Sequence, residues 1–348
     1  MKKAVIGFLK LAVPIALGMW LVVYFYRQLD EVQRAQLFTA FRAADLKWLF
    51  ASVVIGWLSH MSRGWRWRYL LEPMGYTPGF WNCYHAVMNG YFMNMLVQRA
   101  GEASRAVSLY RTEGVPFEKG FGSILAERVI DMGIVVVIAA VTLLLQLDKI
   151  DLFQARIAAF RSGQGTAVET GTPWWVWALL GALVIGCALG LWLLITRPLL
   201  RTRLKDTIRG FAEGFRSVLR MRRKGAFIFH TLLIWALYLA MFWVGFFALP
   251  ATADVPVAGV LAGFIAGSLS IVLVQGGIGV YPAFVALIVS VYMAVPEASS
   301  SRLVEGVEIL RPEALAMGWL LWLAQTLMVI VLGGVSLLFT ASARRRSA

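Results

Sequence analysis

The chain has 348 residues, 59% of them hydrophobic and only 15% charged, with a mean hydropathy of +0.72. A soluble domain of this size carries about a quarter charged residues, so a soluble globular class is excluded in favour of a polytopic helical membrane protein. The formal net charge of +14 does not signal nucleic acid, because Lys and Arg gather on one side of a consistent topology, as a positive-inside bias produces.

In chain order, Lys2 and Lys3 precede a first apolar span from Ala4 to Tyr26. It is too long for a signal h-region and lacks a small-residue cleavage site, so it is expected to stay attached. Residues 27–45 read as a polar interfacial segment, and Leu46 to Ser62 as a span running inward. The following Arg63-Gly-Trp-Arg-Trp-Arg reads as a basic, aromatic anchor at headgroup level.

Residues 81–98 have the length of a span but are interrupted by Asn82, Asn89, Gly90 and Asn94, with basic residues on both flanks. A segment that starts and ends on the basic side re-enters rather than crosses, and irregular backbone at that depth must be buried in protein or line a cavity. Pro116 then suits the first turn of a helix that carries Glu127, Arg128 and Asp131 and runs to Leu147. Residues 148–172 read as an outer loop, and Trp174 to Ile195 as a further span.

Arg197 to Lys224 holds ten Lys and Arg against Asp206 and Glu213. Leu200, Leu204, Ile208, Phe211, Phe215 and Leu219 recur at helical spacing, which predicts a basic amphipathic helix (197–224) on the cytoplasmic leaflet. Phe227 to Ala248 crosses again. Residues 255–295 form an apolar pair broken at Gln275-Gly276-Gly277-Ile278-Gly279 and again by Pro282, with Gly259, Gly263 and Gly267 at small-xxx-small spacing. Acidic flanks place this pair as a hairpin dipping in from the outer face. A last span runs from Ala314 to Thr340. The predicted fold is therefore a single all-α membrane domain over 1–348. It has about six full transmembrane helices and two broken, re-entrant elements entering from opposite faces, with both termini cytoplasmic.

Charges at membrane depth cost roughly 2.5–3.5 kcal/mol each at a helix centre, so the ionisable residues mark the candidate site. Arg99, Glu102 and Arg105 form one group, and Glu127, Arg128 and Asp131 a second. Spacing allows Glu102–Arg105, Arg128–Asp131 and Glu127–Asp131 contacts along single helices. Two readings stay open: an ion-pair network pinning the re-entrant element to the next helix, and direct binding of a polar headgroup. The glycine break can turn the chain sharply or expose N–H groups to a phosphate; a plain turn is favoured. His60, His85, Cys83 and Cys187 lack metal-ligand spacing and read as core residues. No constellation for covalent chemistry, metal or cofactor binding stands out.

The pattern Asn94…Arg99-x-Gly-Glu102-x-x-Arg105, then Glu127-Arg-x-x-Asp131, then Gly276-Gly277-x-Gly279 resembles the flippase-like membrane domain of lysylphosphatidylglycerol synthases. The resemblance covers nearly the whole chain and implies a bacterial or archaeal plasma-membrane protein linked to translocation of lipids or lipid-linked groups. The implied partners are anionic phospholipid or polyprenyl-phosphate-linked lipid, and a separate lipid-modifying enzyme. Two positions depart from the family pattern, Gln275 before Gly-Gly and Pro282 where a carboxylate often follows. With the chain ending at Ala348, lysyl transfer by this chain alone is not expected. The resulting expectation is a translocase module whose substrate-binding residues are Arg99, Glu102, Arg105, Glu127, Arg128, Asp131, Asn94, Gln275, Gly276, Gly277 and Gly279. A non-catalytic scaffold and an integral membrane lipid transferase are the rivals.

Overall fold

The computed structural model describes residues 16, 18–20, 22–27, 29–97, 100–147, 196, 221–293, 303–304, 307–308 and 310–343. Most of the first span, the outer loop 148–172, the span Trp174 to Ile195 and nearly all of the basic amphipathic segment lie outside them, as does Arg99. Nine helices organise the described residues: α1 (Glu31–Ala43), α2 (Leu46–Leu71), α3 (Phe80–Leu96), α4 (Ala100–Glu113), α5 (Phe117–Leu144), α6 (Lys224–Phe246), α7 (Val257–Leu273), α8 (Val280–Val289) and α9 (Pro312–Ala343). A single helical turn, Pro250–Ala253, and a two-strand antiparallel pair, Leu303–Val304 with Val307–Glu308, connect them.

Local chemistry sets several boundaries. Asp30 accepts from the Gln33 N–H while the Gln33 side chain accepts from the Asp30 N–H, a reciprocal capping box that starts α1. Asp45 caps α2 through the Lys47 N–H at 2.9 Å. Among the described residues α6 and α9 are both long and apolar enough to cross a membrane. At 26 and 28 residues α2 and α5 have the length as well, but they carry charges that only the protein interior can shelter.

Two ends of the bundle can be distinguished by contacts. At the Asp45 end, the Asp45 N–H donates to Ala248 O, Gln146 Nε2 to Ala258 O, and the Arg311 N–H to Ser290 Oγ, each at 2.9 Å. At the Glu72 end, Glu113 Oε1 accepts from the Gly79 N–H and from Asn82 Nδ2, both at 2.7 Å. Helices α2 and α6 run antiparallel between these ends, tied by Ser52 to Met241 O and by Ser62 to His230. Helix α9 crosses with its C-terminal part against α3, where His85 stacks on Phe339 and Asn89 donates to Thr340.

The two broken elements are helical hairpins. Helix α3 runs unbroken from Phe80 to Leu96, through Asn82, Asn89, Gly90 and Asn94, so residues 81–98 do not themselves turn back as expected; the return to the Glu72 end is made by α4. Close approach depends on glycine: a Cβ on Gly101 would collide with the Gly90 carbonyl and the Asn94 side chain. The α7–α8 hairpin enters from the Asp45 end. Gly259, Gly263 and Gly267 on α7 make room for Tyr292, Val289 and Tyr281 respectively, as small-xxx-small spacing allows. Its tip is a tight turn in which Gly276, Gly277 and Gly279 all have positive φ, between 66° and 71°, a conformation glycine adopts without penalty. Trp322 Nε1 donates to Gly276 O at 2.6 Å, and the tip touches α3. Opposed hairpins meeting inside the membrane are a recurrent feature of transporters.

Overpacking a tight helix crossing costs about 1–3 kcal/mol, and Gly101→Val is expected to lower the melting temperature of purified protein accordingly. Gly133 in α5 meets nothing within 4 Å of an added Cβ. There Gly133→Ala should leave the melting temperature unchanged or raise it, since alanine favours the helix by roughly 0.5–1 kcal/mol.

Candidate functional site

Three helices build the charged centre: α2, α4 and α5. On α5, Glu127 and Asp131 are one turn apart and point the same way. On α2, Arg63 and Arg66 share a face, and both meet those carboxylates. Arg63 Nη1 lies within hydrogen-bond distance of Glu127 Oε1 and 2.9 Å from Asp131 Oδ2. Arg66 reaches Asp131 Oδ1 at 2.7 Å and Glu127 Oε1 at 2.8 Å. From α4, Arg105 Nη2 donates to Glu127 Oε2 at 2.9 Å, its guanidinium 3.9 Å from the Trp67 ring centroid. That cation–π contact is fixed from behind by Trp67 Nε1 donating to Ser123 Oγ at 2.8 Å.

The cluster is sealed: Arg66 is 0% exposed, Glu127 1%, Arg63 3%, Arg105 5% and Asp131 6%. Three guanidinium groups thus share two carboxylates, leaving an excess of one positive charge in a low-dielectric interior. The Nε atoms of Arg63, Arg66 and Arg105 find no acceptor among the described residues, so donors outnumber acceptors as cations outnumber anions. Arg63 Nη2 donates further to Tyr238 Oη at 3.3 Å, and Tyr238 Oη lies 3.1 Å from Tyr91 Oη.

A second pair stands nearer the surface. Arg128 Nη2 and Glu102 Oε1 are 3.0 Å apart, with side chains 44% and 23% exposed. Arg105, Arg128, Glu102, Asn94, Tyr91 and Gly90 line a small, partly open recess of about 20 Å³, room for about one water molecule before any side chain moves. Arg105 is therefore the member of the buried cluster that also faces open space. Asn94 Oδ1 accepts from the Gly101 N–H at 2.7 Å, satisfying one of the orphan donors in the first turn of α4.

The two charged groups expected from the sequence do come together, by a different pairing. Contacts along single helices give way to contacts between them: Glu102 with Arg128, and Arg105 with Glu127, join α4 to α5. Arg63 and Arg66 belong to the centre, not to a headgroup anchor as their aromatic setting suggests. Their i, i+3 spacing is the signal that separates them from Arg68, which donates instead to Pro78 O and lies over Trp65. Gly276, Gly277 and Gly279 do not line the recess. Gly279 instead borders a separate apolar cavity of about 90 Å³ with Phe25, Tyr26, Leu37 and Trp319. The backbone of Gln275 belongs to the same turn.

No group of three or more His, Cys, Asp or Glu side chains among the described residues is placed to hold a metal. The centre holds a fixed positive charge beside a polar recess. Removing one partner of a buried ion pair costs about 3–5 kcal/mol, because the other charge is left uncompensated. Glu127→Ala and Asp131→Ala are each expected to destabilise the purified protein by that amount in thermal unfolding. Glu102→Ala, at the half-exposed pair, should cost about 1 kcal/mol or less.

The match to known proteins is extensive in one case and local in another. A family model for the lysylphosphatidylglycerol synthase TM region matches residues 8–304. The UPF0104 membrane protein MJ1595 of Methanocaldococcus jannaschii is 33% identical over 72 residues, a match covering 20% of this chain and 21% of that protein. No solved structure matches. The chain is thus a membrane protein of the lysylphosphatidylglycerol synthase transmembrane-region family.

Proposed function

We propose that the protein is a lipid translocase module that receives an anionic headgroup in the recess beside Arg105. The observation that carries this reading is the charge imbalance of the sealed centre: three arginines around two carboxylates, with Arg105 bordering the recess. A buried excess cation is costly unless an anion answers it, and a phosphate diester supplies one negative charge with several acceptor oxygens. Guanidinium is well suited to such oxygens because its donors form a planar fork. Arg63 and Arg66 serve as positioning residues by holding Glu127 and Asp131, which in turn orient Arg105. Arg128 and Glu102 stand at the mouth.

In this reading the substrate is an anionic phospholipid or a polyprenyl-phosphate-linked lipid, and the protein performs no covalent chemistry. The membrane is the bacterial or archaeal plasma membrane, with the Glu72 end cytoplasmic and the basic segment 197–224 gathering anionic lipid there. Opposed hairpins supply an interior where polar groups can pass without facing lipid tails.

A scaffold role for a separate lipid-modifying enzyme is favoured by one feature, the complete burial of Arg63 and Arg66. The two readings part in liposomes containing a labelled phosphatidylglycerol whose headgroup exposure is followed over time. Wild type is expected to equilibrate the label across the bilayer. Arg105→Ala at equal folding should slow it by roughly tenfold or more, the worth of a charged hydrogen bond. Arg68→Ala, remote from the recess, should match wild type. Equal rates for wild type and Arg105→Ala, or no movement with either, rejects this role for the recess.

A further inference from the structure

Glu102 carries the wrong charge for the wall of an anion site. Among the described residues that line the recess it is the one acid, standing there with Arg105 and Arg128. Arg105 is already engaged by Glu127. Arg128, the more exposed of the two arginines, is engaged by Glu102 itself, Nη2 to Oε1 at 3.0 Å. The carboxylate therefore occupies the guanidinium that an incoming anion meets first, and it repels that anion as a like charge.

Space points the same way. The recess holds about one water molecule, and a phosphodiester, with four oxygens around phosphorus, is larger. Some part of the wall must move before a headgroup enters, and most of it is held. Arg105 is tied to Glu127 and laid over Trp67. Asn94 Oδ1 accepts from the Gly101 N–H, and Tyr91 Oη is paired with Tyr238 Oη. The Gly90 and Gly101 backbones approach too closely to admit a Cβ between them. The Glu102–Arg128 pair is looser, its side chains 23% and 44% exposed. A pair of that exposure is worth at most about fivefold in an equilibrium constant, so the mouth opens easily while the centre behind it stays fixed.

We infer that Glu102 is a built-in competitor of the headgroup: its carboxylate holds Arg128 and closes the recess until an anionic phosphodiester displaces it. Displacement leaves the headgroup between Arg105 and Arg128, with Glu102 turned away from both and no covalent bond changed. This rests on the reading of the recess as an anion site. It deepens that reading by giving Glu102 a role opposite to substrate binding, since the acid sets how well an anion must bind before it enters.

The test uses the full-length protein in a nonionic detergent, titrated calorimetrically with dihexanoyl phosphatidylglycerol. Glu102→Gln keeps the shape of the side chain and removes its charge. It is expected to bind about fivefold more tightly than wild type, because the exposed pair no longer has to be broken. Glu102→Ala repeats the measurement if the glutamine variant fails to fold. Arg128→Gln is expected to bind more weakly than wild type, and adding Glu102→Gln to it should bring no gain, as for two residues that act through one contact. Glu118 is an exposed acid in the first turn of α5, about 15 Å along the helix axis from Arg128. Glu118→Gln should match wild type.

Unchanged or weaker binding by both Glu102 variants overturns the competition and leaves the anion site standing. So does a Glu102→Gln gain that survives undiminished beside Arg128→Gln, or one that Glu118→Gln reproduces, since either is general charge repulsion. Absence of binding by wild type and by both Glu102 variants overturns the anion reading as well.

Discussion

Two carboxylates shared by three arginines hold this structure together at its most constrained point. Glu127 and Asp131 stand one turn apart on α5 and receive Arg63 and Arg66 from α2, while Glu127 also receives Arg105 from α4. Remove Glu127 and three buried guanidinium groups lose an anion; remove Asp131 and two do. The helices therefore cannot shift independently: α2, α4 and α5 are fixed relative to one another by charge as well as by the apolar packing of Trp67, Leu70, Leu109 and Ile124. Within a bilayer this has a particular logic, because lipid tails are as apolar as leucine and hydrophobic burial alone does not specify which helices associate.

Around that centre, small residues decide how closely the hairpins can approach. Gly90 and Gly101 let α3 and α4 touch backbone to backbone, which brings Arg105 across to Glu127 and Glu102 across to Arg128. Gly259, Gly263 and Gly267 do the same work for α7 and α8, and the positive-φ glycines at the tip reverse the chain within a few residues. The glycine turn is thus architectural, its Gly276 carbonyl committed to Trp322. The hairpin from the Asp45 end abuts α3 at this tip, and its glycines take no part in lining the recess.

Charge balance links the fold to the proposed activity. A site with equal numbers of acids and bases would be a structural knot; a surplus cation at the edge of a recess is the feature on which the proposed anion site rests.

Several features were legible from the sequence because they depend on near neighbours. Apolar length and sparse charge marked a helical membrane protein, and Gly276–Gly279 marked a chain reversal, whereas Asn89 and Gly90 proved to lie inside an unbroken helix. Depth of burial singled out Glu102, Arg105, Glu127, Arg128 and Asp131, since an acid or base inside an apolar run is rarely idle. Pairing was not legible, because helical spacing shows which side chains share a face but not which face of another helix they meet. Arg63 and Arg66 were the sharpest case: beside Trp65 and Trp67 they read as an interfacial anchor, and only the packing of α2 against α5 turned them inward. The linear order of residues determined that charge would be buried and that the chain would double back. Tertiary structure decided which charges answered one another, because ion pairing depends on distances across helices more than 20 residues apart in the chain.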